Sequence, residues 1–143
     1  MVALSSEPMH ASSVAIAGRA VLIEGASGSG KSDLALRLID RGARLVSDDY
    51  TIVQRRGKRL VARAPTTIAG RIEVRGVGIV TLPFADEVPV GLIVSIGPAV
   101  ARLPESERRL VAGVLVPVLA IAPHEASAPI KIEHALALHG LTA

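Results

Sequence analysis

The chain has no cysteine and no tryptophan, and Tyr50 and Phe84 are its only tyrosine and phenylalanine. Without cysteine there are no disulfides and no thiolate metal sites, which sits easily with a reducing cytoplasm. Without large aromatics, a core must be packed from Val, Leu, Ile and Ala. The 50% hydrophobic content supplies them. The same shortage argues against nucleic acid as a partner, because bases stack on aromatic rings. A strong charge bias is missing too: 16 basic against 13 acidic residues give +3, and no long basic run explains the pI of about 10.0. A mildly basic surface suits phosphate groups or an acidic protein. "MVALSSEPMH" has neither the charged start nor the apolar centre of a signal peptide. The longest apolar stretch, Leu110 to Pro123, is too short for a membrane span and is broken by Pro117. It reads as buried strand, and the expectation is a soluble cytoplasmic protein with no membrane contact.

The 143 residues suit one domain. "SSVAIAG" (12–18) and "RAVLIEG" (19–25) read as two strands meeting at Gly18. "KSDLALRLIDRG" reads as a helix with Leu34, Leu38 and Ile39 on one face, stopped by Gly42. "ARLVS", "YTIVQR", "KRLVARA", "GRIEVRG", "GIVTLPF" and "VPVGLIVSIG" are strand-like. "LPESERRLV" (103–111) reads as a turn with a brief helix. A final helix starts near Pro129, with Ile132, Ala135, Leu136 and Leu138 as its apolar face. Strand follows strand without regular helices between them, so the fold class is α/β with a mixed, largely antiparallel sheet.

Residues 25–32, "GASGSGKS", fit G-x-x-x-x-G-K-S in full. In such a phosphate-binding loop (P-loop, Walker A), Gly25, Gly28 and Gly30, with Ala26, Ser27 and Ser29 between them, let backbone N–H groups turn toward a phosphate chain. Lys31 brings charge to the β and γ phosphates. The Ser32 hydroxyl is a Mg²⁺ ligand, and the helix N-terminus adds its dipole. ATP and Mg²⁺ are the implied substrate and cofactor. A Gly/Ser-rich turn before an ordinary helix is the bland alternative.

The loop normally works with an acid at the end of an apolar strand. Only "ARLVSDD" supplies one, at Asp48 and Asp49. A simple turn is the alternative. Beside a phosphate loop, one carboxylate can accept a proton from an attacking hydroxyl while its neighbour holds water or metal. Glu73, in "GRIEVRGVGIV", shares a strand face with Arg75. From spacing alone, an exposed ion pair between them is the simpler reading.

"GASGSGKSDLAL", "RGARLVSDD" and "IEVRGVGIV" together resemble the catalytic domain of HPr kinase/phosphorylase, over about residues 8 to 104. The resemblance implies a P-loop kinase domain related to phosphoenolpyruvate carboxykinase. It also implies phosphorylation of a serine of an HPr-like phosphocarrier protein, reversal by phosphorolysis, and a hexamer. It assigns Asp49 as the acid that takes the serine proton, Lys31 as catalytic lysine, Ser32 and Glu73 as metal ligands, and His10 and Arg102 as further active-site residues. Residues 1–143 would be the whole catalytic domain, similar to a short alphaproteobacterial form with no N-terminal domain. The family's Arg-Pro-Gly-Arg-Asn loop is replaced by "PHEASAPIK" (123–131). Phosphorolysis is therefore expected to be weak. There Lys131 or His124 is a possible substitute charge, with His124 read as the start of a capped helix. A small-molecule kinase and a non-catalytic nucleotide-binding module remain the rival readings.

Overall fold

The computed structural model describes residues 6–97, 102 and 107–142. Strands β1 (Ser6–Met9), β2 (Ala11–Ile16) and β3 (Arg19–Glu24) precede helix α1 (Lys31–Asp40). Then come β4 (Arg44–Ser47), β5 (Thr51–Arg56), β6 (Arg59–Arg63), β7 (Arg71–Val74), β8 (Gly78–Thr81) and β9 (Val88–Ile96). The chain closes with β10 (Glu107–Val111), β11 (Val114–Ile121) and α2 (Ala128–His139). The main sheet runs β1-β5-β6-β9-β3-β2-β4, with β11 and then β10 branching from β9. Strands β7 and β8 form a separate hairpin. The β3–β9 and β9–β11 pairings are parallel. The other strand pairings among the described residues are antiparallel. The sheet is thus mixed and largely antiparallel, as its sequence predicts. No helix among the described residues is long and apolar enough to cross a membrane.

The central strands are apolar on both sides because both faces are covered. Val21 and Ile23 of β3 join Leu34 and Leu38 of α1 and Ile132 and Leu136 of α2 in one core. Ala20 and Leu22 point the other way, into a second core with Val53, Leu60 and Val116. Strand β9 serves both, and its alternation is broken once. The β3–β9 register shifts between Ala20 and Val21, and Gly91 takes up the extra residue. A Cβ on Gly91 would lie 2.8 Å from Leu136 Cδ1 and 3.2 Å from Arg19 Cβ, so α2 packs there only because the side chain is missing.

The turns follow local chemistry. Ala17 and Gly18, both at positive φ, close the tight β2–β3 hairpin, with Ile16 opposite Arg19. Helix α1 ends at Gly42 (φ 109), where the Gly42 N–H donates to the Ile39 carbonyl and the Ala43 N–H to the Leu38 carbonyl.

Three expectations are corrected. Residues 107–111 are strand, not helix; 103–106 lie outside the described residues. Strand β10 lies at the sheet edge, paired on one side by β11, so Glu107, Arg108 and Arg109 are solvated and leave no apolar alternation to read. The apolar run after it is not one strand, since the positive-φ pair Ala112–Gly113 turns β10 into β11. Pro117 is tolerated in β11 because pairing with β9 begins only at Val118. Leu138, expected on the apolar face of α2, is exposed: the buried face runs through Ala128, Ile132, Ala135 and Leu136, and Leu138 sits about 200° around the helix from Leu136.

Candidate active site

Strand β3 ends at Glu24 and runs straight into the glycine-rich loop. Arg109 of β10 clasps Glu24 through two hydrogen bonds of 2.7 and 2.5 Å. The Glu24 carboxylate holds the Arg109 guanidinium above its ordinary range. This fork anchors the root of the loop to the neighbouring hairpin. A Cβ on Gly25 would lie 2.7 Å from both Ile96 Cγ1 and Ser29 Oγ, so only glycine fits. Gly28 and Gly30 have φ of 78° and 105°, conformations that glycine adopts at no steric cost. Lys31 opens α1 and is buried. Its Nζ donates to the carbonyls of Gly25 (3.0 Å) and Ala26 (3.2 Å). Ser29 Oγ is buried with no partner among the described residues. Ser27, Gly28, Gly30, Lys31 and Ser32 line a cleft of about 500 Å³.

The two aspartates divide at the end of β4. Asp48 is 8% exposed and faces inward. Its Oδ1 accepts from Ser32 Oγ (2.5 Å) and Ser12 Oγ (3.0 Å), and its Oδ2 from the Glu73 backbone N–H (3.0 Å). One carboxylate thus joins β2, the start of α1 and the β7–β8 hairpin. Asp49 faces outward, with 57% of its side chain exposed. Its φ of 67° is a left-handed conformation that Asp tolerates better than most residues. The Tyr50 N–H donates across it to the Asp48 carbonyl (2.8 Å), and the Asp49 N–H donates to Ser12 Oγ (3.1 Å). Buried Ser12 therefore donates to one acid and accepts from the backbone of the next. His10, at the bend between β1 and β2, lies with Nε2 2.9 Å from Asp49 Oδ1 and its ring stacked on Tyr50 at 5.0 Å.

The hairpin closes one side of the cleft with Glu73, Val74 and Arg75. No ion pair joins Glu73 to Arg75 among the described residues, so the exposed-pair reading of Glu73 does not hold. The opposite side carries His124, which the sequence reading had placed at a helix cap. The cap position belongs to Ser127, and the imidazole lies beside Gly30 instead. Lys131 is taken up by Glu125 at 2.7 Å.

The cleft thus collects Lys31, Ser32, Asp49 and Glu73, with His10 bonded to Asp49. Arg102 is an exposed bend residue that does not line this cleft. The sequence offers Asp48 only as a neighbour that holds water or metal, and His124 only as a substitute charge set aside for a helix start; the structure places both in the lining of the cleft. Adjacent acids after a strand carry no signal of which one turns inward, and His124 reaches the loop only through the fold.

Ser32, Asp48 and Glu73 offer hard oxygen donors, the chemistry Mg²⁺ takes. No tight cluster of three or more His, Cys, Asp or Glu residues is present among the described residues. A small donor set fits Mg²⁺, which takes one or two carboxylates and fills its shell from water and substrate phosphate.

The family model for the HPr serine kinase C-terminal domain matches residues 3–84. The HPr kinase/phosphorylase of Clostridium acetobutylicum is 45% identical over 75 residues, covering 52% of this chain and 25% of that protein. Its counterpart in Chlorobium limicola is 48% identical over 73 residues, covering 50% of this chain and 22% of that protein. The aligned stretch thus spans about a quarter of these relatives' length. The solved HPr(Ser) kinase/phosphatase from Coxiella burnetii superposes with a TM-score of 0.81 at 29% identity, over 93% of this chain and 95% of that one. The chain belongs to the HPr serine kinase C-terminal domain family.

Proposed function

We propose that this chain transfers the γ-phosphoryl group of ATP to a serine of an HPr-like phosphocarrier protein. The observation that carries the reading is the split of the aspartate pair. Asp48 faces inward and accepts from three protein donors, while Asp49 stands exposed in the cleft that the glycine-rich loop lines. Residues 25–32 hold the phosphates as a P-loop, with backbone N–H groups and the α1 N-terminus turned toward them. Lys31 moves its charge from the loop carbonyls to the β and γ phosphates. Ser32 and Glu73 would hold Mg²⁺, which when bound would offset negative charge on the transferring group. Asp49 accepts the serine proton as the bond to phosphorus forms, and His10 orients its carboxylate through the 2.9 Å contact. Arg102 is proposed to add charge at the phosphates, as the family resemblance implies.

Several finer statements belong to the same reading. The sheet is of the phosphoenolpyruvate carboxykinase type, residues 1–143 act as one catalytic unit, the protein assembles as a hexamer, and it works in the cytoplasm. In a second, dephosphorylating reaction inorganic phosphate attacks phosphoserine, the serine O–P bond breaks, pyrophosphate forms, and Asp49 gives the serine oxygen its proton.

The test is a transfer assay with ATP, Mg²⁺ and purified HPr, run beside free serine and small alcohols. Phosphate on HPr alone supports the reading. Transfer to a small alcohol instead would make the chain a small-molecule kinase. ATP binding without transfer to any acceptor would make it a nucleotide-binding module.

A further inference from the structure

Segment 122–127, which follows β11, is tied to α1 by one side chain. Arg37 donates to the Pro123 carbonyl and, at 3.3 Å, to the Glu125 carbonyl, the two that flank His124. The guanidinium is aligned in turn by Asp33, one helical turn earlier, at 3.1 Å. His124 is therefore held from both sides along the backbone, yet its ring makes no hydrogen bond among the described residues. Its Cε1 lies 3.6 Å from where a Cβ on Gly30 would sit, and it shares the cleft with Ser27, Gly28 and Lys31. Of the acids closest to it along the chain and on α1, Asp33 is engaged by Arg37 and Glu125 by Lys131, while Asp48, Asp49 and Glu73 line the same cleft. An exposed imidazole is thus fixed beside the glycine-rich loop, with the charge of Asp33 and Glu125 already paired.

We propose that His124 is a ligand-binding residue, whose imidazole N–H donates a hydrogen bond to the phosphate chain lying on residues 25–32. Arg37 is its positioning residue. The inference rests on the nucleotide-phosphate part of the function proposed above, and assigns to this chain a phosphate contact outside the loop itself.

Calorimetric titration of the full chain with Mg·ATP, and separately with inorganic tripolyphosphate, tests it. Lys31→Ala is the control, and thermal melts check that each variant is folded. His124→Ala is expected to weaken both ligands by about tenfold, the size of one lost hydrogen bond to a charged group. His124→Gln, which keeps an N–H donor, should recover much of that loss. Arg37→Ala should weaken tripolyphosphate in the wild-type background and have little effect once residue 124 is alanine, because its role runs through His124. Weakened ATP binding with unchanged tripolyphosphate binding would place the ring against base or ribose and overturn the proposal. Unchanged binding of both ligands in His124→Ala, with Lys31→Ala impaired, would overturn it while leaving the proposed function standing. If the wild-type chain binds neither ligand, both readings fall together.

Discussion

Asp48 and Asp49 are neighbours with opposite duties, and one isosteric change at each separates them. Asp49→Asn removes a base from an exposed position, so the fold and ATP affinity should stay near wild type while transfer to HPr falls by roughly 10²-fold or more. Asp48→Asn replaces one acceptor oxygen by a donor amide inside a network of three donors. At least one of Ser12, Ser32 and Glu73 N–H then loses its bond, at a cost of about 1–3 kcal/mol. Thermal melts should show a lower midpoint for Asp48→Asn and none for Asp49→Asn. A reversed pattern, with Asp49→Asn unstable and fully active, would exchange the roles. The sequence told that an acid pair stood near the loop, because the motif and the strand before it are local. It did not tell which acid turned inward. That follows from the turn at Asp49 and from Ser12, which is 36 residues from Asp48 along the chain.

At the scale of elements, the β7–β8 hairpin reaches the site through a backbone bond to Asp48 and a side chain in the cleft. Glu73→Gln leaves the backbone bond intact and removes a carboxylate. The Mg²⁺ needed for half-maximal transfer should rise, while the melting midpoint stays within error. An unchanged metal titration would remove Glu73 from the metal site. Gly91 concerns α2 and the central sheet. Gly91→Ala places a methyl against Leu136 and Arg19, and should destabilise the fold by about 1–3 kcal/mol, read from denaturant midpoints. A neutral result would mean that α2 can shift on the sheet without loss. Elements with both faces buried, such as β3 and β9, were legible as β-branched runs. Strand β10 was not, because at an edge its charged residues can all face water and its pairing supplies no sequence period. The amphipathic pattern placed α2 well, but Leu138 does not belong to its apolar face, since the helical period sets it well apart from Ile132, Ala135 and Leu136.

Across the whole molecule, the permanent cations that line the cleft among the described residues are Lys31 and Arg75. Lys131 is committed to Glu125, and Arg37 to backbone carbonyls and Asp33. Phosphorolysis must hold free phosphate against a phosphoserine, two anions together, whereas ATP delivers its phosphates tethered. Phosphoserine-HPr incubated with millimolar phosphate and Mg²⁺ should therefore release pyrophosphate far more slowly than the forward reaction proceeds. Comparable rates would show that His124 or a partner subunit supplies enough charge for both directions.

The packing of Gly25 against Ile96 also sets an order of events on the ribosome. Strand β3 and the loop are made early, with β2 available at once as a hairpin partner. The other neighbour of β3 is β9, and its pairing residues begin only at Val90. Until β9 emerges, the loop has no wall beneath it and β3 keeps an open edge. Closing so distant a pair costs loop entropy and slows folding. The phosphate binding proposed for the loop should then arise only once β9 has been made, well after the last residue of its own motif.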